Sequence, residues 1–145
     1  MCAMSDTPNK IPISVRINGD WQQLLVRPWG TLLDTLRDDL NEASLFVYPS
    51  LADRGETFGL AVLEAMSCGC PPLVSALDCF RDFVDEGKTG FVFDHRASDV
   101  ASALRQKIIG LVRARALLPQ VGQDARRAAA EFALEPVAMR FINDF

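Results

Sequence analysis

Two carboxylates, Glu56 and Glu64, lie eight positions apart and flank a stretch that is otherwise mostly apolar. Glu64 is the only charged residue between Phe58 and Met66. A carboxylate inside an apolar helix is costly unless hydrogen-bond donors meet it. The paired hydroxyls of a ribose or a hexose are suitable donors, because each hydroxyl can donate to one carboxylate oxygen. The spacing alone also fits an ordinary helix whose one polar residue faces water, so the surrounding elements decide between the two interpretations.

Those elements have the pattern of an α/β fold with a parallel sheet. Short apolar runs that end at turn residues predict buried strands over residues 45–48, 73–76 and 91–93. A helix is predicted from near Phe58 to Gly69, and a short second helix over 80–86. Strands and helices in this alternation predict βαβ units with right-handed crossovers. Three further helices are predicted over 97–117, 120–133 and 135–144.

The predicted helix that begins near Phe58 directs its amino end toward the place where an α/β sheet binds ligands. In open α/β sheets, ligands bind beyond the carboxyl ends of the strands. Unpaired N–H groups at a helix start attract phosphate or sugar oxygens, and Gly59 lets a ligand approach the backbone closely. Glu56 precedes this helix and Glu64 follows nearly two turns later, so the two carboxylates would meet different parts of one ligand.

Several motifs occur in order from about residue 41 to the end: Leu45-Phe46-Val47-Tyr48-Pro49-Ser50, Glu56-x-Phe58-Gly59-Leu60-x3-Glu64-Ala65-Met66, Cys68-Gly69-Cys70-Pro71 and Gly87-Lys88-Thr89-Gly90-Phe91-Val92. This region resembles the carboxy-terminal, donor-binding part of retaining GT-B glycosyltransferases of the family 4 type. The resemblance implies an α/β fold with a partial Rossmann-like parallel sheet and flanking helices.

The resemblance also implies a donor site for a nucleotide sugar, with a UDP- or GDP-sugar as the ligand. In that family the residue matching Glu56 contacts the donor sugar. Backbone amides around Phe58, Gly59 and Leu60 contact the sugar or its diphosphate, and the residue matching Glu64 binds the ribose hydroxyls. Transfer proceeds with retention of configuration and generally without a bound metal. No catalytic residue is assigned with certainty.

The amino-terminal segment has a different pattern. Asn18-Gly19 between β-rich runs predicts a hairpin, and Thr31 is the predicted N-cap of the helix that follows. Residues 12–41 resemble the start of the [2Fe-2S] small subunits of the xanthine dehydrogenase and carbon monoxide dehydrogenase type. In that family C-x4-C-x2-C follows directly. After Cys2 this chain has no cysteine before Cys68, so no iron–sulfur cluster is predicted.

Together the two resemblances suggest a composite chain. Residues 1–11 are expected to be a disordered lead, 12–41 a ferredoxin-like hairpin and helix, and 42–145 a glycosyltransferase α/β segment, all within one compact domain. The alternative is a naturally shortened glycosyltransferase whose amino-terminal similarity is accidental.

Composition restricts the partners. The net charge of −4 over 145 residues gives no reason to expect nucleic acid or a membrane surface. Four arginines, at 113, 115, 126 and 127, alternate with apolar residues and are interpreted as a solvated helix face. No apolar run reaches the ~20 residues of a membrane span, and no export signal is visible, which predicts a cytoplasmic protein with reduced thiols. Cys68-Gly69-Cys70 lacks a second pair and His95 is the only histidine, so no metal site is predicted.

The expected behaviour is weak donor binding without turnover by this chain alone. The Arg and Lys that neutralise the donor diphosphate in the family belong to an earlier part of the domain, and the 145 residues leave no room for an acceptor domain. Two alternatives stay open: a folded, non-catalytic α/β module that forms a homo-oligomer through an exposed sheet edge, and an electron-transfer fragment. The second is disfavoured because the cluster cysteines are missing.

Overall fold

The structure is a computed structural model that describes residues 10–17, 19–26, 28, 30–51 and 58–144. The chain divides into two compact units, Met1–Asp39 and Leu40–Phe145. Most of the expected amino-terminal lead, residues 1–9, lies outside the described part.

The first unit contains an antiparallel hairpin of β1 (Ile11–Ile17) and β2 (Asp20–Val26). Ile11 pairs with Val26 at the open end of the hairpin. Gly19 has a positive φ of 94° in the turn, a conformation that favours glycine. The hairpin predicted from Asn-Gly is therefore present.

A helix, α1 (Leu32–Glu42), follows and begins with a reciprocal cap. The Asp34 N–H donates to the Thr31 hydroxyl at 3.2 Å, and the Thr31 N–H donates to the Asp34 carboxylate at 2.9 Å. Two N–H groups at the helix start are satisfied in this way. The predicted N-cap role of Thr31 is confirmed.

The second unit is built on a parallel sheet in the order β3 (Phe46–Tyr48), β4 (Pro72–Ser75) and β5 (Phe91–Phe93). α2 (Leu60–Ser67) connects β3 to β4. The central strand β4 is buried over its whole length, as expected for a strand covered on both faces. The predicted α/β class is confirmed, and the three strands lie within one residue of their predicted bounds.

Three helices complete this unit: α3 (Val100–Arg113), α4 (Leu118–Ala130) and α5 (Leu134–Asn143). Asp99 is the N-cap of α3, and its carboxylate accepts a hydrogen bond from the Ser102 N–H at 2.9 Å. A single 3₁₀ turn at Arg115–Leu117 joins α3 to α4. In the described part of the chain, no helix has the length and apolar character needed to cross a bilayer.

The prediction of a short helix over residues 80–86 is wrong. A 3₁₀ turn occupies Asp78–Phe80, and the following residues form turns. The Thr89 hydroxyl donates to the Phe83 carbonyl at 2.9 Å and accepts from the Asp85 N–H at 2.7 Å. In an α-helix these two backbone groups would each bond to a backbone group four residues away, so the segment folds around Thr89 instead.

Two apolar clusters cover opposite faces of the sheet. Neighbouring strand residues face opposite ways, and Val74 accordingly joins one cluster while Leu73 joins the other. The first cluster packs α2 and α4 against the sheet, with the side chains Val62, Leu63, Met66, Val74, Leu77, Phe80, Phe83, Val84, Ala125 and Ala129. The second cluster contains Leu73, Phe91, Phe93, Leu111, Leu118 and Val121.

Candidate functional site

The amino end of α2 is set by Gly59, which precedes the helix with φ 67° and ψ 50°. A Cβ added at Gly59 would lie 2.5 Å from Cε1 of Phe80, so the position requires glycine for its φ and for close packing. The N–H groups of Val62 and Leu63 both donate to the Gly59 carbonyl, at 2.9 and 3.3 Å. The earlier N–H groups have no partner within the helix, as at any helix start.

Three of the predicted site residues line one surface groove. Phe58, Leu60 and Glu64 share a groove of about 340 Å³ between α2 and α4. Leu60 is 69% exposed, and Glu64, one turn further along, is also exposed. Leu60 and Glu64, four positions apart, therefore share one exposed face of α2. The other lining residues are Leu63, Ser67, Arg126, Ala129, Ala130, Phe132 and Ala133.

Aromatic contacts fix one end of this groove. The Phe58 ring lies 5.9 Å from the Phe83 ring and 5.9 Å from the Phe132 ring, and the last two are 5.7 Å apart. Edge-to-face pairs at this distance are stabilising beyond their buried area. The cluster holds the start of α2 against the end of α4, so the two walls of the groove are joined there.

The two charged residues of the groove come from opposite walls. Glu64 is on α2 and Arg126 is on α4. Arg127, one residue further, forms an ion pair with Asp124 instead. Hydrogen bonds from Arg127, and then from Gln120, hold the pKa of the Asp124 carboxyl below its usual range. All four arginines that the sequence analysis interpreted as solvated are exposed, and the packing of α4 against α2 adds that Arg126 lines the groove whereas Arg127 pairs with Asp124.

Glu56 lies outside the described residues, within the gap at 52–57. Its contact with a donor sugar stays a prediction, as do the ligand roles of Phe58, Gly59, Leu60 and Glu64. The structure brings Phe58, Leu60 and Glu64 together and places Gly59 behind them.

The cysteines of the second unit differ in accessibility. Cys70 is buried in the turn between α2 and β4, and burial raises the pKa of its thiol to about 11, with the nearby Cys68 adding to the shift. Cys68 and Cys79 are partly exposed. Among the residues that the structure describes, no three His, Cys, Asp or Glu side chains group in a way that could hold a metal ion.

Comparison with known proteins decides the family. Residues 13–113 match the family described as glycosyl transferases group 1. The chain belongs to this family. The match to the group 1 glycosyltransferases includes the hairpin and α1, the segment that resembles a [2Fe-2S] subunit, so the composite interpretation is not supported.

Individual glycosyltransferases give the extent of the similarity. The D-inositol 3-phosphate glycosyltransferase of Rhodococcus opacus (strain B4) is 34% identical over 113 residues, which are 77% of this chain and 24% of that protein. Sucrose-phosphate synthase from Thermosynechococcus elongatus superposes with a TM-score of 0.62 at 28% identity, covering 77% of this chain and 26% of that one. HepE from Anabaena, solved in complex with UDP-glucose, has a TM-score of 0.56 at 20% identity and covers 70% and 26% of the two chains, which shows a shared fold.

The chain thus spans about a quarter of the length of these glycosyltransferases. Its parallel sheet and flanking helices match the carboxy-terminal half of the GT-B fold.

Proposed function

We propose that this chain is the donor-binding part of a group 1 glycosyltransferase and binds a nucleotide sugar. The observation that carries the proposal is the shared groove of Phe58, Leu60 and Glu64 at the start of α2. The family membership supports it, as do the relatives described as D-inositol 3-phosphate glycosyltransferase and as a complex with UDP-glucose.

Each site residue predicted from the sequence has a proposed role. Glu64 accepts hydrogen bonds from the ribose hydroxyls, because a carboxylate offers two acceptor oxygens to a pair of donors. The backbone N–H groups around Phe58, Gly59 and Leu60 meet the sugar or the diphosphate, because the helix start is positively polarised. Glu56 binds the donor sugar in this proposal.

We further propose that the 145-residue chain binds the donor without transferring its sugar. The chain matches only about a quarter of the length of each whole relative. Transfer needs an acceptor held in reaction geometry beside the donor. Binding and turnover are therefore expected to separate in this chain.

Calorimetry with UDP-glucose and with GDP-mannose tests donor binding. We expect heat with at least one of them, and a roughly tenfold or greater loss of affinity in Glu64→Gln, because a hydrogen bond to a charged group is lost. Glu135→Gln, an exposed carboxylate change on α5, is the matched control and should leave the affinity unchanged. No heat with either donor would contradict the proposal, and release of UDP or GDP at a catalytic rate would contradict the absence of turnover.

The same samples test the alternative that the chain is a folded, non-catalytic α/β module that forms a homo-oligomer. The outer edge of β5 is occupied, since the Val92 N–H donates to the Glu86 carboxylate at 2.6 Å and Lys107 donates to that carboxylate at 2.6 Å. A homo-oligomer would therefore pair through β3. A dimer by sedimentation, with no heat from either donor, would favour this alternative.

The remaining sequence predictions are carried as proposals. We propose that the chain binds no iron–sulfur cluster, which an absorbance spectrum checks directly, and that no nucleic acid is a partner. The cytoplasmic location stays a prediction.

A further inference from the structure

Arg126 is the one cationic side chain among the described residues that line the groove, and it lies on α4, whereas Glu64 lies on α2. We propose that Arg126 binds the phosphates of the nucleoside diphosphate whose ribose Glu64 holds. This inference rests on the proposed function and assigns the groove a cation that the sequence analysis expected to be missing.

The charge of the ligand requires such a group. A diphosphate placed beside Glu64 adds negative charges next to a carboxylate, and like charges at contact distance repel by several kcal/mol at intermediate dielectric. A guanidinium on the facing wall offsets this repulsion. Its planar set of N–H donors also matches two phosphate oxygens at once.

The position of Arg126 follows from the packing of α4. Ala125 and Ala129 are buried against the first cluster and place the next residue, 126, at the edge of the buried face. The small side chains of Ala129 and Ala130 line the same groove about one turn further along α4. Because Arg126 is itself exposed, a nucleotide can reach it without movement of the helix.

The contacts within the helix distinguish Arg126 from its neighbour. Arg127 is paired with Asp124, whereas no ion pair is found for Arg126 within the described parts of the chain. The Ser67 hydroxyl, which also lines the groove, donates to the Glu64 carbonyl at 2.7 Å. The Arg126 guanidinium is thus the donor of the groove best placed to take an anionic group.

The test compares the affinities of the wild-type chain for UDP and uridine, and for GDP and guanosine, by NMR titration and calorimetry. For the pair that binds, we expect the nucleoside diphosphate to bind about ten- to a hundredfold more tightly than its nucleoside. Arg126→Gln should remove most of this difference and leave nucleoside binding unchanged. Arg127→Gln, the matched control on the same helix, should retain the full difference.

Two further measurements complete the design. Arg126→Lys keeps the charge and loses the two-point geometry, so it should retain an intermediate preference for the diphosphate. Raising the salt concentration should weaken diphosphate binding in wild type and have much less effect in Arg126→Gln, since salt screens the charge interaction.

The outcomes separate the two proposals. If Arg126→Gln keeps the wild-type ratio of diphosphate to nucleoside affinity, the role of Arg126 is overturned while donor binding stands. If the wild type binds none of the four ligands nor either nucleotide sugar, donor binding fails and the role of Arg126 fails with it.

Discussion

Gly59 is constrained by its positive φ and by its close packing against Phe80. Gly87 shares only the first constraint, so a comparison of the two glycines separates the effects. Gly59 has a φ of 67° and lies against Phe80, whereas Gly87 has a φ of 73° with open space where a Cβ would be. Gly87→Ala should lower the free energy of unfolding by about 1–2 kcal/mol, the cost of a left-handed conformation. Gly59→Ala should lower it by about 1–3 kcal/mol more, because the methyl group overpacks against Phe80. Urea unfolding measures both, and equal losses would contradict the contact with Phe80.

The thiols provide a second prediction at the scale of single residues. Cys70 is buried with a thiol pKa of about 11, whereas Cys68 and Cys79 are partly exposed. At pH 8 we expect iodoacetamide to modify Cys68 and Cys79 well before Cys70, because the thiolate is the reacting form and burial disfavours it. Peptide mass spectrometry over time measures the order of modification.

The denatured chain is the control for this order. In concentrated guanidinium chloride, the cysteines should react at similar rates. Rapid modification of Cys70 in the folded chain would show that the end of α2 opens readily.

At the scale of elements, the approach of α4 to the end of α2 determines the second wall of the groove. A Cβ at Gly122 of α4 would collide with the carbonyl of Gly69, while one at Gly110 of α3 would meet nothing within 4 Å. Alanine has a higher helix propensity than glycine by about 1 kcal/mol. Gly110→Ala should therefore raise the free energy of unfolding by up to about that amount, and Gly122→Ala should lower it by about 1–3 kcal/mol.

Thermal and urea unfolding of the two variants measure these opposite effects. Stabilisation by both changes would show that propensity outweighs the contact between Gly122 and Gly69. If the folded fraction of Gly122→Ala also bound nucleotide sugars more weakly than wild type, the substitution would have displaced α4 and, with it, Arg126.

The elements differ in how far the sequence predicts them. The strands were predictable because short apolar runs end at turn residues, and α1 because Thr31 precedes its first turn. The segment after β4 was not predictable, because its fold depends on hydrogen bonds between the Thr89 hydroxyl and backbone groups of Phe83 and Asp85. Arg126 and Arg127 look alike in sequence, and only the packing of α4 on α2 shows which of them lines the groove.

At the scale of the whole molecule, the apolar core belongs to the second unit. Every member of the two buried clusters, and every partly buried residue packed against them, follows Ala43 in the chain. Burial of such side chains is the main source of folding free energy. The sheet, the groove and Arg126 should therefore persist without the hairpin.

A pair of fragments tests this. Residues 31–145 keep α1 with its cap and both clusters, and should unfold cooperatively near the midpoint of the full chain. Residues 1–113 keep the hairpin and lose Leu118, Val121, Ala125 and Ala129, all of which are buried. Because apolar side chains would become exposed to water on both faces of the sheet, we expect this fragment to lack a cooperative transition. Circular dichroism with urea compares them, and loss of the transition in 31–145 would mean that residues before Thr31 contribute to the stability of the second unit.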